Sequence, residues 1–279
     1  MKNCYVKPKK SLGQHFLTDM SVASRIADTV DACESIPVLE VGPGTGVLTQ
    51  FLLPKGRELK VVELDSESVE YLLNKNIDSK PRILGTLLPE NIIETDFLKM
   101  NLEDVFSGRQ FVLTGNYPYN ISSQIFFKVV DNRSLIPCCT GMIQKEVAER
   151  LAAAPGSKAY GVLSIFIQVW YEVEYLFTVH ENVFNPPPKV KSAVIRLTRN
   201  SREIIGCDER LFRRIVKTVF TMRRKMIRNG LRQIVGEILT DDGGVQEFLS
   251  DSFFNKRPEQ ISIEEFISLT NRISALQHA

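Results

Sequence analysis

Val38-Leu39-Glu40-Val41-Gly42-Pro43-Gly44-Thr45-Gly46 decides how the chain is read, because a glycine-rich turn directly follows an apolar run. The run Ile36–Val41 predicts a first strand, and a helix is expected from the turn to about Leu53. Glycine lets the backbone turn tightly and approach a ligand closely, and the first amides of the following helix favour an anion or polar group. Glu63 stands nineteen residues after Gly44 and ends a second predicted strand, Leu59–Glu63. A carboxylate at that place can accept both hydroxyls of a ribose. The dinucleotide spacing G-x-G-x-x-G fails, since the position three after Gly44 is Val47, and the pattern is instead G-x-G-x-G.

Beyond this turn, β-rich runs alternate with helical stretches, the pattern of a parallel α/β sheet. Ser66–Asn74 predicts the helix after the second strand. Asn91–Thr95 and Phe111–Gly115 predict short strands, and Met142–Gln144 the end of another, followed by an amphipathic helix over Lys145–Ala153. Trp170–Val179 and Val190–Thr198 read as long strands around a loop holding Pro186, Pro187 and Pro188, hence an antiparallel pair at the sheet edge. After Asn200 strand signals stop, and helices are expected over Glu209–Phe220, Arg223–Val235 and Ile263–Ser274. Apolar residues such as Leu211, Ile215 and Val219 fall there at four-residue intervals. The expected organisation is an α/β domain over 1–200 and a helical domain over 201–279.

Of the 279 residues, 43% are hydrophobic and 24% charged, which excludes wholesale disorder. No apolar run is long enough to span a bilayer, and Met1 to Gln14 has lysines without the apolar stretch of a secretory signal. Five cysteines and three histidines show no metal-ligand spacing, so reduced thiols, no metal and a cytoplasmic location are expected, with a monomer as the default. Nine Arg or Lys and no acid lie between Arg210 and Arg232, and Lys2, Lys7, Lys9 and Lys10 add four more near the start. Taking those thirteen charges from a net +2 leaves the rest at −11, which points to a polyanion-binding face on an acidic body. Arg210, Arg213, Arg214 and Lys217 share a helix face without local acids, so RNA contact is expected of this stretch, against the alternative of a solvated face.

The glycine turn with Glu40 ahead of it resembles the S-adenosyl-L-methionine fingerprint of methyltransferases; another nucleotide cofactor or a structural turn are the alternatives. Asp96 follows the Asn91–Thr95 strand at the same sheet end, as an adenine-binding or a turn-capping residue. Asn116-Tyr117-Pro118-Tyr119 follows the Phe111–Gly115 strand. Methylating the N6 amine of adenine requires acceptors for its N–H bonds, because the nitrogen lone pair is delocalised into the ring. The Asn116 oxygen can supply one acceptor and a main-chain carbonyl at Tyr117 or Pro118 the other, preorganised by the proline ring. Tyr119 offers a flat face on which a flipped-out base can stack.

Together these segments resemble the small-subunit ribosomal RNA adenine dimethyltransferases (KsgA or RsmA in bacteria). The resemblance runs through Lys10-Ser11-Leu12-Gly13-Gln14-His15-Phe16-Leu17, Glu40 to Gly46, and Gly115 to Ser122. It continues through Phe184-Asn185-Pro186-Pro187-Pro188-Lys189-Val190, Phe220 to Lys225, Arg228-Asn229 and Arg257-Pro258-Glu259-Gln260. It implies a Rossmann-like class I methyltransferase domain with a small C-terminal helical domain. It further implies a cofactor touched by His15, Leu17, Gly42, Gly44, Glu63, Asp96 and Asn116. Asn116, Pro118, Tyr119 and Phe184 would flank the target base, and Lys9, Lys10, Arg223, Arg224, Lys225 and Arg228 would meet RNA. The implied substrate is a pair of adjacent adenosines in the hairpin near the 3′ end of small-subunit rRNA, on a maturing small ribosomal subunit. His15 stands where many members carry Asn, which shifts its expected cofactor contact to the backbone, and Tyr117 stands where Leu is usual. An Erm-type enzyme, a DNA adenine methyltransferase or a non-catalytic assembly factor are the competing readings. The arginine-rich C-terminal segments count against the first, the proline loop and helical tail against the second, and the intact Glu40, Gly44, Glu63 and Asn116 against the third.

Overall fold

A computed structural model describes residues 6–78 and 87–277, and within it the chain forms two compact units. The first holds the residues up to Ala148 together with Tyr171–Arg199; the second holds Glu149–Trp170 and the residues from Asn200 onward. Lys2 and Cys4 lie outside the described residues, as does the Lys10 side chain.

In the first unit, strands β1 (Phe16–Leu17), β2 (Val38–Val41), β3 (Leu59–Glu63), β4 (Ile92–Glu94) and β5 (Val112–Thr114) precede β6 (Cys138–Gln144). Strands β7 (Tyr171–Val179), β8 (Phe184–Asn185) and β9 (Ser192–Arg199) complete the set. Seven of them form one sheet in the order β4-β3-β2-β5-β6-β9-β7. The first five are mutually parallel, and β9 runs antiparallel to both β6 and β7. The long β7–β9 pair thus closes the sheet edge as the proline-bearing loop between them predicted. Helices α1 (Met20–Asp28), α2 (Thr49–Leu52), α3 (Ser66–Asp78) and α4 (Ser122–Asp131) belong to this unit, and α5 (Lys145–Leu151) follows β6.

The central strands β2, β5 and β6 are buried almost throughout, which is why their sequences show no regular alternation of apolar and polar residues. Because β3 and β5 pair on opposite sides of β2, chain order reverses there, and the carboxyl end of β2 is the crevice where such sheets bind ligands. A disulfide joins Cys33 to Cys138, with Cα atoms 6.1 Å apart. This corrects the expectation of reduced thiols throughout: the turn after α1 packs beside the start of β6, a proximity no spacing of 105 residues reveals.

The second unit contains α6 (Val162–Gln168), α7 (Glu209–Thr221), α8 (Ile227–Gly236), α9 (Asp242–Phe248) and α10 (Ile263–Ala275). A single boundary near Asn200 is corrected, because 149–170 groups with these helices. Helix α6 buries Ile165, Phe166 and Ile167, and Phe166 meets Phe212 of α7 at 6.3 Å between ring centroids. Phe266 of α10 continues that cluster at 6.5 Å from Phe212. Helix α8 starts at Ile227 and not Arg223; its predecessor ends at Thr221, and Met222–Met226 forms the connection.

Around Gly115 and Gly141 the sheet leaves no room for a side chain. Gly141 has φ +143°, and a Cβ there would strike the Gly115 carbonyl oxygen and come within 2.7 Å of the Tyr117 ring. Gly141→Ala should therefore lower stability by about 2–4 kcal/mol through backbone strain and overpacking. Urea unfolding of the variant beside the parent checks this, and an unchanged midpoint would contradict it.

Candidate active site

Four loops converge at the carboxyl ends of the parallel strands: Gly42–Gly46 after β2, Leu64–Asp65 after β3, Thr95–Leu98 after β4 and Gly115–Tyr119 after β5. Together with residues Leu12 to Phe16 they line a cleft enclosing about 930 Å³ of space open to solvent. His15, Gly42, Gly44, Glu63, Asp96, Asn116, Pro118 and Tyr119 all line it.

The glycine turn is shaped as its sequence demands. Gly42 and Gly44 have φ of +68° and +54°, and a Cβ on Gly44 would lie 2.9 Å from the Phe16 ring. Glu63 is 6% exposed and accepts from the Gly44 amide at 3.1 Å and from the Leu64 and Asp65 amides at 2.9 Å each. Burial raises its carboxyl above the ordinary value, against the opposing pull of those three amides. A carboxylate has about four acceptor directions, so one remains, on Oε2, for a ligand hydroxyl. The expectation that it takes both ribose hydroxyls narrows accordingly. Glu40 lies behind the turn, in a small recess shared with Leu17, and accepts the Thr49 hydroxyl at 2.6 Å. Burial pushes the Glu40 carboxyl up to about 8, with the Thr49 bond opposing and the nearby Glu63 charge adding to it.

Asn116 Nδ2 donates to the His15 main-chain carbonyl at 3.1 Å, which leaves the Asn116 oxygen as the acceptor end of that amide. The Pro118 carbonyl already accepts the Ile121 amide at 3.3 Å and the Ser122 hydroxyl at 3.0 Å as α4 begins. Tyr119 stacks on the His15 ring, centroids 5.3 Å apart, and its hydroxyl pairs with the buried Ser192. Burial raises the Tyr119 phenol, with the Ser192 bond opposing. The Tyr117 ring points away from the cleft into the sheet, where its hydroxyl donates to the Thr140 carbonyl at 2.8 Å and lies 3.3 Å from Cys139 Sγ. The Tyr117 ring therefore occupies the sheet interior, where Gly141 leaves space for it.

Several residues singled out from sequence sit elsewhere. Phe184 is 4% exposed and pairs with Leu17 across β1 and β8; both belong to the apolar core, so Phe184 presents no open face to a base. Lys9 is not a free cation: its Nζ bonds Asp65 at 2.5 Å and Glu67 at 3.1 Å, which ties the N-terminal strap to the β3–α3 turn. Arg223 donates to the Lys158 carbonyl at 2.6 Å and so braces a loop of its own unit. Arg213 pairs with Glu209 at 3.0 Å and Arg214 with Glu237 at 2.6 Å, so that helix face has local acids, one of them directly before the counted stretch. Arg224, Lys225 and Arg228 are exposed. Asp96 lines the cleft, and its Oδ1 accepts the Leu98 amide at 2.9 Å, the bond of a turn-capping residue.

Residues missed from sequence are those that hold the others. Asp65 accepts from Lys9, Ser68 and Gln14, bonds that keep its carboxyl below the ordinary value although burial works to raise it. Lys128 of α4 donates to the Leu98 and Met100 carbonyls at 3.1 and 2.5 Å and fixes the Asp96 loop. Asp65 is buried and Lys128 half-buried, and neither carries a sequence signal beyond being a charged residue. Among the described residues, no group of three or more His, Cys, Asp or Glu is placed to hold a metal, and no helix is long and apolar enough to cross a membrane.

The family described as "Ribosomal RNA adenine dimethylase" matches residues 6–272. A relative from Phocaeicola vulgatus named "Ribosomal RNA small subunit methyltransferase A" is 63% identical over 270 residues, 97% of this chain and 91% of the relative. One of the same name from Flavobacterium johnsoniae is 50% identical over 270 residues, 97% of each chain. In fold, the chain is similar to a dimethyladenosine transferase from Plasmodium falciparum, with TM-score 0.73 and 23% identity, over 94% of this chain and 98% of that one. It is likewise similar to the 23S rRNA methyltransferase ErmE, with TM-score 0.61 and 24% identity, over 92% and 99%.

The buried Glu40 makes stability depend on pH. Its folded value of about 8 exceeds the ordinary 4.5, so between those limits the folded chain keeps a proton that the unfolded chain has released. Stability from this group is thus present at low pH and falls as pH rises through that window. Glu40→Gln removes the titration while keeping an acceptor for Thr49. Its melting temperature should decline less than the parent's between about pH 5 and 8. Equal slopes in the two proteins would show that Glu40 is ionised throughout.

Proposed function

The chain belongs to the ribosomal RNA adenine dimethylase family, whose cofactor is S-adenosyl-L-methionine, and from that premise we propose its substrate and the roles of its residues. It transfers methyl groups to N6 of two adjacent adenosines in the 3′-terminal hairpin loop of small-subunit rRNA, giving N6,N6-dimethyladenosine. The substrate is a maturing small ribosomal subunit in the cytoplasm, met by a single copy of this chain. The observation that carries the reading is the Asn116 amide, whose nitrogen is committed to the His15 carbonyl and whose oxygen is therefore presented as an acceptor.

The residues of the cleft fit the cofactor, because the glycine turn admits no side chain at Gly44 and a buried carboxylate keeps one acceptor direction beside it. Gly42, Gly44, Glu63 and Asp96 would hold the nucleoside part, with the backbone of His15 and Leu17 closing over it. The cofactor supplies a methyl group already activated on a sulfonium. Asn116 Oδ1 accepts one N–H of the target amine. The Pro118 carbonyl is taken up by α4, so the second acceptor is the Tyr117 carbonyl. Tyr119 supplies the stacking face, and Phe184 supports the site from the core. Positioning and charge stabilisation lower the barrier without a general base, since the methylated amine loses its proton to solvent. Arg224, Lys225 and Arg228 contact RNA phosphates; Lys9 and Arg223 serve the fold.

Incubating the protein with labelled S-adenosylmethionine and small subunits lacking these methyls should yield dimethyladenosine at the two adjacent sites. Asn116→Ala should cut single-turnover methylation by about 100-fold or more, as loss of a preorganised polar group does, with RNA affinity nearly intact. Methyl found on N1, or on cytosine, would overturn the reading.

Replacing Arg224, Lys225 and Arg228 by Gln should flatten the salt dependence of RNA binding, by roughly 0.7–0.9 in the log–log slope for each phosphate no longer neutralised. Calorimetric affinity for the cofactor should stay the same. An unaltered slope would make this stretch a solvated surface.

A further inference from the structure

His15 meets the proposed base site at three points. Its main-chain carbonyl accepts Asn116 Nδ2 at 3.1 Å. Its Nδ1 lies 2.8 Å from the Pro186 carbonyl oxygen, which can only accept, so Nδ1 carries a proton and donates it. Its ring stacks on Tyr119 with centroids 5.3 Å apart and planes inclined by 30°. At the far end of Tyr119 the hydroxyl pairs with Ser192, a fully buried serine at the start of β9.

These interactions divide the labour of holding one ring. The hydroxyl bond lies on the long axis of the tyrosine side chain, so it fixes where the axis points but leaves rotation about χ2 free. Only a neighbour against a ring face stops that rotation, and the imidazole supplies it while anchored to the proline loop. Resting on the base-stacking role given to Tyr119 above, we propose that the His15 side chain is a positioning residue. It locks the plane of the Tyr119 ring from one face and leaves the opposite face for the flipped-out adenine. Through its carbonyl the same residue orients the acceptor oxygen of Asn116, so one position of the N-terminal strap sets both substrate-facing groups. An asparagine at this position could keep the bond to Pro186 but not the stacking on the ring face.

Three substitutions separate the parts, since each retains the main-chain carbonyl. His15→Ala removes ring and donor, His15→Asn keeps a donor without a ring, and His15→Phe keeps a ring without the donor. At saturating cofactor, the Ala and Asn variants should methylate rRNA roughly three- to tenfold more slowly in a single turnover, as removal of one aromatic neighbour does. The Phe variant should recover most of the rate, and calorimetric affinity for S-adenosylmethionine should match the parent in all three. Combined with Tyr119→Leu, His15→Ala should add no further loss, because the ring it positions is gone. Ring-flip rates of labelled Tyr119, read by NMR, should rise in the Ala and Asn variants and stay slow in the Phe variant. That readout needs no methyl transfer, so it tests the positioning role even if the parent enzyme leaves adenine N6 unmodified, which would instead sink the proposed substrate. Parent-like ring flipping in His15→Ala, additive losses with Tyr119→Leu, or an effect confined to cofactor affinity would each overturn the inference.

Discussion

The Glu63 carboxylate accepts three backbone amides, from Gly44 after β2 and from Leu64 and Asp65 after β3, and the rest of the site is arranged around that junction. Amides leaving a strand end need acceptors when buried, and one carboxylate serves two loops at once. The turn it fixes carries Asp65, which takes Lys9 and Gln14 from the N-terminal strap. The strap then brings the His15 carbonyl to Asn116 after β5. A chain of bonds thus runs from the glycine turn after β2 to Asn116 after β5. This linkage places the strap within the architecture of the cleft.

Close packing supplies the second constraint. Gly115, just after β5, lies so near β2 that a Cβ on it would be 2.6 Å from the Val41 carbonyl oxygen, and a Cβ on Gly141 within β6 would be 3.0 Å from the Gly115 amide nitrogen. The Tyr117 ring fills the space above Gly141 and is pinned by Thr140 and Cys139. Asn116 and Tyr119, on either side of the anchored Tyr117 and Pro118, are consequently held by a buried neighbour. The positions of Asn116 and Tyr119 are set by the sheet interior as much as by the cleft surface.

Charge follows a different logic in the helical unit. Arg213, Arg214 and Arg223 meet acids or carbonyls, whereas Arg224, Lys225 and Arg228 are exposed, as are Arg210 and Lys217 on α7 and Arg232 on α8. Three of the exposed cations, Arg224, Lys225 and Arg228, lie in and just after the non-helical connection between α7 and α8. A short connection held at both ends by packed helices can present several cations together, which suits a phosphate backbone better than charges spread around a helix.

What the sequence alone determined was local or periodic. The parallel strands were legible because burial on both faces leaves a largely apolar run, and the glycine turn because its backbone admits little else at Gly42 and Gly44. The place of Glu63, Asp96 and Asn116 in the cleft was legible because each lies at or within two residues of a strand end, and strand ends of a parallel sheet face the same crevice. Tertiary structure decided every assignment that depended on a distant partner. Lys9 looked like an RNA contact until Asp65 met it from 56 positions away. Phe184 looked like a stacking face until pairing with Leu17 buried it. Segment 149–170 looked like part of the sheet domain until the aromatic residues of α7 and α10 showed where α6 finds its apolar partners. A side chain's type and spacing state what it can bind. Only the fold brings the competing partners within reach, because the attractions that choose among them act over a few ångströms and carry no signature along the chain.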